Sequence, residues 1–226
     1  MRYKIFPLGD HALTIEFGNK ISADLNNRVL NLARFFDENA FPGLVEIAPA
    51  YASLTVFYDV SVVRKNFSEF PTAFEWVKNF TENALRNLDN LAETDRRLIE
   101  IPICFHKDYA LDLESLAASK NLSTEKVIEI FLAKTYLVYM LGFLPGFAYM
   151  GEVDKRIAGA RKSSPRLKVP KGSVGIAGRQ TGIYSLESPG GWQIIGRTNV
   201  ELFTPNEKTP TLLQAGDWVK FYQDDF

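Results

Sequence analysis

The feature that most constrains this chain is where its glycines fall: eleven of 15 lie between Gly142 and Gly196, interleaved with short apolar runs and with Pro145, Pro165, Pro170 and Pro189. Glycine is required where the backbone takes positive φ or where another backbone or a ligand approaches closely, so this spacing implies many tight corners joining short strands. The runs from Ser173 to Gly178, Gly182 to Glu187 and Trp192 to Thr198 are each broken off by turn residues. That is the pattern of a closed or nearly closed β structure. A small β-barrel is expected for this half of the chain.

The same stretch is strongly cationic. Between Glu152 and Arg179 there are eight cations (Lys155, Arg156, Arg161, Lys162, Arg166, Lys168, Lys171 and Arg179) against the two acids Glu152 and Asp154, in a chain of net charge -1. A local excess of this kind holds an anion or an acidic partner surface, or else is a solvated loop. The sequel favours a lined cleft: Gly178-Arg179-Gln180-Thr181-Gly182, then Glu187-Ser188-Pro189-Gly190-Gly191-Trp192-Gln193, sets polar side chains between glycines and beside an aromatic ring. Arg166, Lys171, Ser173, Gln180, Thr181, Tyr184 and Arg197 are the expected substrate- or anion-binding groups. Pro145, Gly146, Phe147, Gly190, Gly191 and Trp192 are the expected backbone and wall of the cleft. Glu187, flanked by Ser185 and Ser188, is the acid ranked first for catalysis.

Several chemistries are excluded. Gly172 to Gly178 is one residue too long for a phosphate-binding Gly-x-x-x-x-Gly-Lys loop and is followed by Arg179, and no Gly-x-Gly-x-x-Gly occurs. Two histidines and one cysteine do not make a usual zinc site, so no metal site is expected. His11 and His106 both read as residues of surface turns rather than as members of a triad. Cys104, within an apolar strand pattern, reads as buried core, and a single cysteine suits a reducing compartment. The start lacks a basic head followed by an apolar core, and no run approaches the roughly 18 apolar residues of a membrane span. A cytoplasmic protein is expected, and a sequence pI of about 6.2 argues against nucleic acid as a general partner.

With 226 residues, of which 46% are hydrophobic, the chain is long enough for two small domains. Strands are expected at Tyr3 to Phe6, Ala12 to Phe17, Glu46 to Ala48 and Ser53 to Tyr58. A helix capped by Ser22 carries Leu25, Val29, Leu32, Ala33 and Phe36, and a second from Phe70 to Leu88 carries Phe74, Val77, Ala84, Leu85 and Leu88, with Pro71 in its first turn. The polar run Asp89 to Arg97 is the expected connector. Beyond it come a strand from Leu98 to Phe105, short helices capped by Asp112 and Ser123, the glycine-rich strands, and a closing strand after Ala215-Gly216-Asp217. The class is α+β: an α/β sandwich domain over residues 1–92 and a barrel domain over 93–226.

Several motifs together resemble one family. They are Tyr139-Met140-Leu141-Gly142-Phe143-Leu144-Pro145-Gly146-Phe147-Ala148-Tyr149, Pro165-Arg166, Val169-Pro170-x-Gly172-Ser173-Val174-Gly175-Ile176-Ala177-Gly178, Gln180-Thr181-Gly182-Ile183-Tyr184, Glu187-Ser188-Pro189-Gly190-Gly191-Trp192 and Ile195-Gly196-Arg197-Thr198. The likeness extends to Leu8-Gly9-Asp10 and to Glu46-x-x-Pro49-x-Tyr51-x-Ser53-Leu54. The family is that of the B component of bacterial 5-oxoprolinase, also called allophanate hydrolase subunit 1 or the sporulation kinase inhibitor family. The resemblance implies a cyclophilin-like barrel as the second domain. It also implies a role as one of three subunits that open 5-oxoproline to glutamate with ATP, accompanied by Mg at the level of the complex. The implied partners are two other subunits and a small acidic metabolite, and the other activity carried by the family is inhibition of a sensor histidine kinase. A metabolite- or peptide-binding barrel without chemistry is a third reading. The chain departs from the pattern at Phe131, where the family usually has histidine, around Glu152, and at Gly159-Ala160-Arg161.

Overall fold

Alternation of Leu13 and Ile15 with polar neighbours makes β2 (Ala12–Glu16) a strand with one apolar face. It pairs antiparallel with β1 (Lys4–Pro7) across the Gly9-Asp10-His11 turn, Ile5 opposite Ile15. With β3 (Leu44–Pro49) and β4 (Ser53–Tyr58) it forms a four-stranded sheet of order β1-β2-β4-β3. Helix α1 (Ala23–Glu38) lays Val29, Leu32, Ala33 and Phe36 into the same core as Leu13, Ile15, Leu54 and Val56. Ser22 occupies its N-cap without a side-chain bond. A short helix, α2 (Val60–Asn66), is not expected from the sequence, because its valines read as strand formers. It forms because the Asp59 carboxylate accepts from the Val62 N–H at 2.9 Å. Helix α3 (Ala73–Leu88) begins three residues later than the sequence suggests. Thr72 and Glu75 make a reciprocal cap, the Thr72 Oγ1 accepting from the Glu75 N–H at 3.1 Å and donating to its carboxylate at 3.4 Å, which leaves Pro71 outside the helix.

This computed structural model describes residues 2–88 and 96–226. The expected boundary at residue 92 and the side chain of Leu88 lie outside the described residues. The chain divides into two compact units, Met1–Asp95 and Arg96–Phe226.

The second unit opens with β5 (Leu98–Ile103), α4 (Leu113–Ser119) and α5 (Thr124–Leu132), and then becomes nearly all strand. The strands are β6 (Thr135–Leu141), β7 (Ala148–Gly151), β8 (Arg166–Val169), β9 (Ser173–Ala177), β10 (Gln180–Ile183), β11 (Ser188–Gly190), β12 (Gln193–Arg197) and β13 (Trp218–Gln223). Six of them join β5 in one seven-stranded sheet of order β12-β9-β10-β7-β6-β13-β5. The two edge strands of that sheet meet: Cys104, just past β5, and Arg197, at the end of β12, exchange backbone hydrogen bonds of 2.8 and 3.0 Å. One antiparallel bridge thus joins the two edges of the curled sheet, in keeping with the barrel expected from the glycine spacing. Cys104 is buried as expected.

Alternate residues of these strands feed two clusters on opposite faces. Ile101, Tyr136, Val138, Ile176 and Phe221 form the larger core with Leu116 of α4 and Phe131 of α5. Phe147, Val169, Ala177, Tyr184, Trp192 and Ile194 form the smaller one, to which the separate β8–β11 ladder contributes Val169.

One corner shows why glycine is needed. Gly172 has φ +83, its N–H donates to the Tyr184 carbonyl at 2.7 Å, and a Cβ there would collide with the Thr198 carbonyl. Gly178 has φ +60 with nothing within 4 Å of such a Cβ. Gly178→Ala should therefore cost only the left-handed backbone penalty, about 1 kcal/mol. Gly172→Ala should cost about 3 kcal/mol, because steric overlap adds to it. Urea unfolding of the two variants beside the parent checks the order, and equal costs would contradict it.

Candidate functional site

The site grows from one residue. Asp112 stands at the N-cap of α4, where an aspartate usually accepts from its own helix, yet its side chain makes no capping bond. It is 2% exposed, and its carboxylate turns into the barrel wall. There it accepts four hydrogen bonds: from Lys162 Nζ at 2.8 Å, from both terminal nitrogens of Arg166 at 2.7 Å, and from the Ile194 N–H at 2.7 Å. Burial by itself pushes this carboxyl up. The bonds from Arg166, Lys162 and Ile194 outweigh burial and hold it below the usual carboxylate range. Two cations share one carboxylate, so the surroundings of Asp112 retain net positive charge.

Lys162 also lines a groove of about 660 Å³ between α4 and the segment from Gly159 to Ser164. Ser115, Ser119 and Lys120 enter it from α4, Arg161 and Lys162 from the opposite wall, and Gln193 from β12. Gln193 is tied to that wall by donating to the Ala160 carbonyl at 2.9 Å. The Arg161 guanidinium lies 5.9 Å from the centre of the Trp192 ring. Three cations and no carboxylate among the lining residues give this groove a positive potential.

The residues singled out in the sequence fall into three places. Phe147, Tyr184 and Trp192 pack as edge-on rings, Phe147 lying 5.4 Å from Tyr184 and 5.5 Å from Trp192. Burial raises the Tyr184 phenol above its ordinary value. Pro145 accepts the Ser185 hydroxyl at 2.6 Å, Gly190 backs onto the Tyr184 hydroxyl, and Gly191 packs on Pro165. Gly146, at φ +75, lies against the backbone of Leu202. In the barrel wall, Ser173 and Thr181 are buried, the Thr181 hydroxyl donating to the Gly175 carbonyl at 2.9 Å, and Gln180 begins β10. Towards solvent, Glu187 pairs with Lys168 at 3.1 Å and Lys171 with Glu201 at 2.6 Å. Arg197 donates to the Lys171 carbonyl at 3.0 Å and stacks over Tyr109. Arg166 stands apart from the rest of the set, on Asp112.

Sequence reasoning missed the α4 wall. Ser115 and Ser119 are four apart and Lys120 follows, so a polar helix face towards the basic loop was the available signal. It also gave Asp112 only a capping role. Phe131 is fully buried, 5.0 Å from the Tyr136 ring and 5.1 Å from Phe221. Among the described residues no cluster of three or more His, Cys, Asp or Glu is placed to hold a metal ion, and no helix is long and apolar enough to cross a membrane.

Comparison with known proteins gives the family of the chain. Residues 3–213 match the family described as carboxyltransferase domain, subdomain C and D. The chain is 49% identical to the B component of 5-oxoprolinase from Bacillus subtilis (strain 168) over 222 residues, covering 98% of this chain and 92% of that protein. It is 35% identical to the same component from Escherichia coli O157:H7, covering 97% and 95%. The crystal structure of TTHA0988 has the same fold, with a TM-score of 0.79 at 34% identity, and the match covers 95% of this chain but 40% of that longer one.

Asp112→Asn should destabilise the second unit by about 3 kcal/mol, because two cations and an N–H lose their charged acceptor. The sign with pH follows from the depressed carboxyl. Its contribution is complete above the unfolded value of about 4 and is lost as pH falls below it. Urea unfolding between pH 7 and pH 3 should show the parent losing more stability on acidification than Asp112→Asn. Parallel losses would contradict the assigned role.

Proposed function

The chain belongs to the family of the carboxyltransferase domain, subdomain C and D, and from that premise we propose that it is one of three different subunits of an ATP-dependent 5-oxoprolinase. The observation that carries the reading is the match of 49% identity to the B component of a 5-oxoprolinase along nearly the full length of both proteins. The reaction is the opening of 5-oxo-L-proline to L-glutamate. A lactam is a resonance-stabilised amide and a poor electrophile. ATP, with Mg, supplies the phosphoryl group that turns the lactam oxygen into a leaving group.

The chain's own contribution is binding and orientation. It has no Gly-x-x-x-x-Gly-Lys loop, so it is proposed to be inactive without its two partner subunits. The cationic groove suits the acidic metabolite. Glu187 lies outside the groove lining, at solvent on Lys168, and is the carboxylate proposed for proton transfer on a surface that a partner subunit would complete.

Glutamate should form from 5-oxo-L-proline and Mg-ATP only when this chain and both other subunits are mixed. No glutamate from the full mixture would retire the reading, and a fall in the autophosphorylation of a sensor histidine kinase on adding this chain alone would replace it. Within an active complex, Glu187→Gln should lower kcat by about 100-fold or more. A parental rate would remove Glu187 from the chemistry while leaving the proposed place in the complex intact.

A further inference from the structure

We propose that the groove between α4 and the Gly159–Ser164 segment is a binding site for a small amino-acid-type ligand, Lys120 and Arg161 taking its carboxylate and the Ser115 and Ser119 oxygens accepting its N–H. The choice of ligand class rests on the reading just given, whereas the site itself rests on the groove.

The groove is positively charged. The chain as a whole balances 26 basic against 27 acidic residues, yet the described lining of the groove holds three cations and no carboxylate. Four cations of the basic stretch are already paired with carboxylates: Arg156 with Asp154, Lys168 with Glu187, Lys171 with Glu201, Arg179 with Glu152. Among the described residues Arg161 and Lys120 have no such carboxylate, and both face the groove. Lys162 adds to them, because it shares Asp112 with Arg166. Uncompensated positive charge in a concave, partly desolvated place is an anion site in electrostatic terms.

Hydrogen-bond polarity narrows the ligand. The Ser115 hydroxyl donates to the Asp112 carbonyl at 2.9 Å and the Ser119 hydroxyl to the Leu116 carbonyl at 2.7 Å. With their protons committed to the helix, both oxygens offer only lone pairs to the groove. A phosphate presents mostly oxygens to such acceptors and has only its P–OH left to donate. A molecule with a carboxylate at one end and an N–H next to it, as in a lactam amino acid or an α-amino acid, matches a groove that offers cations from both walls and acceptors from α4. The proximity of Arg161 to the Trp192 ring and the bond from Gln193 to Ala160 fix the cationic wall against β12 before any ligand arrives.

Isothermal titration of the purified full chain with 5-oxo-L-proline, L-glutamate and inorganic phosphate tests this. One of the two amino-acid probes should bind with phosphate clearly weaker. Lys120→Gln and Arg161→Gln should each weaken binding about tenfold or more, the effect of losing one charge-assisted hydrogen bond. Ser119→Ala should weaken the amino-acid probe and leave phosphate unchanged. Both cations are surface residues, so near-ultraviolet circular dichroism should match the parent in each variant. Parental affinity in both cation variants, no binding of either amino acid, or phosphate binding as tightly as they do would overturn the proposal. Glutamate formation by the complex without binding to this chain would refute the groove and keep the place in the oxoprolinase. Binding without turnover in the full mixture would do the reverse.

Discussion

A single buried carboxylate holds one face of the second unit together. Ionising Asp112 away from water is costly, and the structure meets that cost with a two-pronged bond to Arg166, an ammonium from Lys162 and a backbone N–H from Ile194. The three donors come from the basic segment and from β12, while the acceptor heads α4. One side chain therefore pins three separate stretches of chain at one point. The wall of the groove, the start of β8 at Arg166 and the seating of α4 against β12 share this anchor. Arginine suits the role because its planar fork engages both carboxylate oxygens at fixed geometry, which a lysine in its place would not do.

Around that anchor the barrel divides its labour by strand alternation. Residues of one parity, such as Val138 and Ile176, make the main core, and residues of the other, such as Phe147 and Trp192, make an aromatic layer under the motif loops. The glycines sit where those rings and corners leave no room: Gly190 against the Tyr184 hydroxyl, Gly172 against Thr198. Motif residues that look like a binding cleft in the sequence are thus in part the packing that shapes one. Their rigidity serves function indirectly, since the Trp192 ring that packs on Phe147 also faces Arg161 of the groove.

What the sequence disclosed follows the range of the forces involved. Strand alternation, glycine corners, the burial of Cys104 and the α+β class are set by neighbours a few residues apart, and they could be read directly. The closure of the barrel through Cys104 and Arg197 is a long-range pairing without a local signal. Helix α2 is masked in the sequence by β-branched valines, and only the Asp59 cap accounts for it. Asp112 does stand at a helix start, but its partners lie 50 and 54 residues further on, so a capping role was the natural local inference. The excess of cations was legible as a count, whereas the pairing of Lys168 with Glu187 and of Lys171 with Glu201 was not. With those pairs set aside, Arg161 of the stretch stands across the groove from Lys120.

Phe131 shows what such a departure from a family pattern means physically. Its ring is enclosed by Tyr136 and Phe221, and the Tyr136 hydroxyl donates to the Phe131 carbonyl at 2.8 Å, so the position is closed to solvent from both sides. A histidine held there would bury ring nitrogens among aromatic carbons and need partners to offset the lost hydration. Phenylalanine removes that demand and fills the same space, which makes residue 131 a packing element of this chain. Chemistry that this chain supports must then come from groups that reach a ligand or a partner surface. In the second unit the groove brings three cations together without a carboxylate in its lining, and Asp112 fixes one of them, Lys162, from below.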